Sequence, residues 1–209
     1  MSAPFRIAVM ISGEGTGLQN LIDCIASGRL SGIEIALVIS SRADAGGLAR
    51  ADRAGLTTRI IRPADFPDTD AFSTAIAEAL DDAEIDLAVQ AGWLCYWKLP
   101  RHWLGRVINI HPALLPKYGG KGFYGRRVHE AVIAAGDQLS GATVHWVDNE
   151  YDHGEIIAQQ KCAVKAGDTC DMLAERVRAL EFDLLPTAIA GICFPFRFSV
   201  NSVGCDATS

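Results

Sequence analysis

The chain has 209 residues, enough for one well-packed domain, and we expect residues 1–200 to form it with 201–209 as a frayed tail. With 49% hydrophobic and 21% charged residues it is neither disordered nor fibrous. The net charge of −6 speaks against nucleic acid or an anionic membrane as a partner, and the early apolar run 7–11 is too short for a membrane span or a signal sequence. Six cysteines, at 24, 95, 162, 170, 193 and 205, form no CxxC pair and no zinc-type grouping with histidine. Such spacing reads as reduced thiols in a cytoplasmic protein that binds no metal.

Residues 5–11 are an apolar run that ends in a glycine cluster, as a buried parallel strand does. Leu18, Leu21, Ile22 and Ile25 then recur at helical spacing, and Gly28 closes that helix. The alternation repeats: a strand over 33–39, a helix capped by Asp44 and running to 54, and a short strand over 57–61. A helix from Asp68 or Thr69 to Leu80 follows, with further strands over 85–90 and 107–110. Residues 141–147 and 155–164, separated by the polar turn 148–154, predict a hairpin. Asp168 is placed to cap a long last helix, with Asp171 at its third position and Pro186 kinking or ending it.

This alternation predicts an α/β fold: a doubly wound, mostly parallel Rossmann-like sheet with an antiparallel hairpin at one edge. Ligands of such sheets sit outside the carboxyl ends of the strands. Those ends are 12–17, 40–44, 91–93 and 111–116.

The first of them, Ser12-Gly13-Glu14-Gly15-Thr16-Gly17, can turn backbone N–H groups toward an anion at a helix N-terminus. It lacks the lysine of a Walker loop and the full dinucleotide fingerprint. Glu14 brings a carboxylate to the same turn, so its side chain is expected to point away from the ligand or to pair with an Arg or Lys. Asn109 and His111 are two apart on a strand end and project from one side, where an amide and an imidazole can together hold an oxyanion. Asp152 gains a role if the fold brings it beside His111, whose pKa it would raise. Between Asp86 and Glu130 there is no acidic residue, yet Lys98, Arg101, Arg106, Lys117, Lys121, Arg126 and Arg127 fall there, which points to a local anion site.

The segments Asn109-Ile110-His111-Pro112, Leu114-Leu115-Pro116-Lys117-Tyr118 and Asp152-His153-Gly154, with the opening strand and Ser12-Gly13-x-Gly15, resemble the folate-dependent formyltransferases over roughly residues 5–190. The resemblance implies transfer of the formyl group of 10-formyltetrahydrofolate, a co-substrate, to the amine of 5-phosphoribosylglycinamide in de novo purine biosynthesis, with small molecules as partners. An amino sugar nucleotide as acceptor, or hydrolysis of the formylfolate, is the alternative. The resemblance makes Asn109, His111 and Asp152 the catalytic trio. It gives the phosphate to Gly13, Gly15, Thr16 and Gly17, and the glycinamide to Glu181. The folate head falls to Leu94, Cys95, Tyr96 and Trp97 with Asp148, Asn149 and Tyr151. A monomer or a homodimer is expected. The chain departs from the commoner family pattern at Glu14, Gly17 and Cys95, and is longer over 119–128.

Overall fold

In the computed structural model the described residues are 3–194, so the expected tail lies outside them. The opening apolar run forms β1 (Phe5–Ile11), which is buried on both sides. Ile7, Val9 and Ile11 enter one core and Ala8 and Met10 the other, as the period of two dictates. Around it lie β2 (Ile33–Ser40), β3 (Thr58–Ile60), β4 (Leu87–Gln90), β5 (Val107–His111), β6 (Leu139–Trp146) and β7 (Ile156–Ala163). They form one seven-stranded sheet in the order β3-β2-β1-β4-β5-β6-β7. The first five strands are parallel, and β6 and β7 are the expected antiparallel hairpin at the edge. The chain winds outward in both directions from β1 and β4, so a crevice opens between their carboxyl ends.

Helices α1 (Thr16–Ala26), α2 (Gly46–Arg53), α4 (Arg126–Ala134) and α5 (Cys170–Cys193) contribute to the core on one face, and α3 (Thr69–Asp82) covers the other. Asp68 caps α3 by accepting from the Ala71 N–H at 2.8 Å, as expected. The residue Gly28, just past α1, has φ +77, a conformation glycine adopts without strain.

Two expected helix caps are corrected, the reading of Pro186 is narrowed and one helix is added. Asp44 does not cap α2, because both its oxygens are held by the Arg42 guanidinium at 2.9 and 2.7 Å and Ala45 takes the cap position. Asp168 likewise is drawn to Arg176, at 2.6 and 2.9 Å, and Thr169 caps α5 by accepting from the Met172 N–H, which leaves Asp171 second in the helix. Pro186 does not end α5. A proline leaves the carbonyl four residues earlier without its donor, and here Asn20 of α1 donates to Phe182 O at 2.9 Å in its place. The helix therefore runs on to Cys193. Finally, the stretch after His111 holds α4, a helix the sequence reading passed over; Val128, His129 and Val132 are its buried face.

Candidate active site

Asn109 and His111 leave the same side of β5 at its carboxyl end, as two residues of a strand two apart do. The antiparallel register sets His145 opposite Asn109 and Thr143 opposite His111. Asp152 comes in from the β6–β7 connection with φ +51. Its Oδ1 lies 3.6 Å from His111 Nδ1, 3.6 Å from His145 Nε2 and 3.4 Å from Asn109 Nδ2. Its Oδ2 accepts from the Gly120 N–H at 2.9 Å. The fold thus brings the expected trio together. Burial alone would raise the Asp152 carboxyl, but His145, His111 and the Gly120 N–H outweigh it and hold the group below its ordinary value.

His111 is 4% exposed, and its Nε2 lies 2.8 Å from Tyr118 O. A carbonyl only accepts, so Nε2 carries a proton and Nδ1 faces Asp152. The expected upward shift of this imidazole is corrected. Burial lowers its pKa more than Asp152 and the Tyr118 carbonyl raise it, and His145 lowers it further. His129, from α4, lines the same cavity and is lowered by burial first, then by Arg178 and His111.

One cavity of about 780 Å³ takes in the trio. The glycine loop contributes Gly13, Gly15, Thr16 and Gly17 to its wall. Gly15 has φ +68 and lies so close to α2 that an added Cβ would meet Gly47 Cα at 2.5 Å. Glu14 turns toward the first residue of α2, where a Cβ on Gly46 would lie 2.7 Å from its Oε2. The positive end of a helix receives that carboxylate, and Arg50 donates to Glu14 O at 2.8 Å. Glu181 of α5 faces the cavity too. The residue as a whole is only partly buried, but its surroundings are dense, and burial, partly offset by Arg178, lifts its pKa to about 7.

Leu94, Cys95, Tyr96 and Trp97 line the same cavity, as do Asp148 and Tyr151. The Tyr96 and Tyr151 rings are 5.4 Å apart, and Ser12 Oγ accepts from the Leu94 N–H at 2.9 Å, tying this slot to the glycine loop. Asn149 is the expected residue that does not reach the cavity wall. Its Oδ1 accepts from the Leu99 N–H at 2.7 Å, so it fastens the 148–152 turn to the slot.

The basic stretch divides. Lys98 and Lys117 pair with Asp70 and Asp137, and Arg106 lies over the Trp103 ring, while Lys121, Arg126 and Arg127 line the cavity. Sequence reading missed His145, His129 and Arg178. The alternation Thr143-Val144-His145 on the first strand of the expected hairpin was the available signal for the first.

A polar trio beside a glycine loop, at the switch point of a doubly wound sheet, defines an enzyme of the Rossmann-like group-transfer class. The chain belongs to the formyl transferase family, whose model matches residues 5–189. The phosphoribosylglycinamide formyltransferase of Haemophilus influenzae is 38% identical over 186 residues, covering 88% of this chain and 85% of that protein. The trifunctional purine biosynthetic protein adenosine-3 of Bos taurus is 41% identical over 186 residues, and the chain spans 18% of its length. Among solved structures, glycinamide ribonucleotide transformylase 1 from Symbiobacterium toebii has a TM-score of 0.83 at 38% identity, covering 90% of this chain and 87% of that one. The phosphoribosylglycinamide formyltransferase of Coxiella burnetii has a TM-score of 0.81 at 39% identity, with the same coverage.

Proposed function

We propose that this enzyme transfers the formyl group of 10-formyltetrahydrofolate to the amine of 5-phosphoribosylglycinamide, the one-carbon step its relatives are named for. The observation that carries the reading is that Asn109, His111 and Asp152 share one cavity with a glycine loop suited to phosphate and an aromatic slot suited to a flat heterocycle.

The phosphate rests on the N–H groups of residues 15–17, and Glu181 meets the glycinamide. The pterin enters the slot formed by residues 94–97, with Asp148 and Tyr151 opposite. The amine then attacks the formyl carbon directly. As the carbonyl oxygen gains negative charge, Asn109 donates one N–H to it and the His111 ring holds a proton for it at Nδ1. That charge favours the protonated imidazole, which the empty-handed buried ring does not. Asp152 neutralises the ring and, directly or through water, takes the proton the amine releases. The new C–N bond forms first; as the oxyanion then collapses back to the carbonyl, the bond to the folate nitrogen breaks and that nitrogen takes up a proton. The steps use no metal.

Free thiols at Cys24, Cys95, Cys162, Cys170 and Cys193 support a cytoplasmic setting, and residues 1–200 are read as one domain. Among the described residues no helix is long and apolar enough to cross a membrane. The reading is tested by following the folate product spectrophotometrically with phosphoribosylglycinamide, with an amino sugar nucleotide, and with no amine. Product with the first alone is expected. Equal release without amine would make the enzyme a hydrolase, and preference for the amino sugar would change the acceptor.

A further inference from the structure

The Asn109 amide can face the reacting carbonyl with its nitrogen or its oxygen, and only the nitrogen can donate to an oxyanion. What selects the nitrogen is on the neighbouring strand. His145 Nδ1 lies 2.8 Å from Trp146 O, so Nδ1 carries the ring proton. With the ring neutral, its Nε2, 3.1 Å from Asn109 Nδ2 and 3.6 Å from Asp152 Oδ1, is a lone pair that accepts one amide hydrogen. The other hydrogen points toward Asp152 Oδ1, at a long 3.4 Å that a substrate oxygen can replace. Turned around, the amide would set its oxygen against both the Nε2 lone pair and the carboxylate. His145 is 2% exposed, so water does not compete for that nitrogen.

We propose that His145 is a positioning residue for formyl transfer, acting through Asn109 by holding the nitrogen of its amide toward Asp152 and the formyl oxygen. The proposal rests on the formyl-transfer reading above for its kinetics, but not for its geometry.

The test replaces His145 with Leu, which fills similar space without an acceptor, and with Gln, which keeps an acceptor near the Nε2 position. His145→Leu is expected to lower kcat about 10- to 100-fold, the scale of a misplaced oxyanion donor, and to leave KM for either substrate nearly unchanged. His145→Gln recovers most of that loss. In an Asn109→Ala background, His145→Leu has little further effect, because the two act as one unit. Additive losses, or a folded His145→Leu enzyme with kcat within about twofold of the parent, would overturn the proposal. Should His145→Leu fail to fold, nitrogen-15 NMR of the ligand-free wild-type protein decides: the His145 proton is expected on Nδ1, and a proton found on Nε2 overturns the proposal. A wild-type protein that shows this tautomer but does not turn over phosphoribosylglycinamide would instead defeat the functional reading.

Discussion

At the scale of single residues, the site joins groups whose surroundings push them in different directions. Asn109→Ala and His111→Ala are each expected to lower turnover about 100-fold or more, since both act on the oxyanion, with KM values little changed. Near-normal turnover in either variant would remove the assigned mechanism. Glu181 offers a second measurement, by stability and not by activity. Burial, partly offset by Arg178, raises its folded pKa from 4.5 to about 7, so the folded protein keeps a proton there that the unfolded chain has lost. That contribution to stability is complete below pH 4.5 and is lost as the pH rises through about 7. Glu181→Gln lacks this loss, and its stability relative to wild type is expected to grow over that window by up to roughly 3 kcal/mol. Urea unfolding at pH 4.5, 6 and 8 reads the trend, and a pH-independent difference would mean the carboxyl is solvated after all.

Between elements, the glycine loop and α2 interlock. Gly47 N–H donates to Gly13 O at 3.1 Å, and Gly15 approaches Gly47 backbone to backbone. The interlock decides which variant probes the phosphate. Gly15→Ala combines a left-handed φ with a clash against Gly47 Cα, so it is expected to cost more than about 1–3 kcal/mol of stability before any ligand binds. Gly13 has open space where a Cβ would go and lines the cavity. Gly13→Ala is therefore expected to keep thermal stability and raise KM for the phosphorylated amine, with the folate KM unchanged. Steady-state kinetics beside thermal melts separates the two, and equal destabilisation of both variants would count against the interlock.

For the whole molecule, the cavity is built on one seven-stranded sheet, so each ligand stabilises the same folded unit. Phosphoribosylglycinamide at 100 times its Kd should add about 2.7 kcal/mol and raise the melting temperature, while an amino sugar nucleotide should not. Differential scanning fluorimetry with each compound checks this, and a larger shift with the amino sugar would point to that acceptor.

The sequence by itself determined the sheet and most of the site, because these depend on local periodicity and on strand ends. Residues 5–11 could only be a doubly buried strand, and the spacing of Asn109 and His111 placed both on one side of β5. Tertiary structure alone decided what partners across the fold impose. Asn20 of α1 rescued the carbonyl of Phe182 that Pro186 left bare, a contact between residues 162 apart in sequence, whereas the arginines that drew Asp44 and Asp168 off their helices stand close by in sequence and were legible but unread. The same holds at the site. His145 meets Asn109 only through the pairing of β5 with β6, 36 residues apart in sequence. The sign of the His111 shift turned on how deeply the ring is buried, which is a property of everything packed around it.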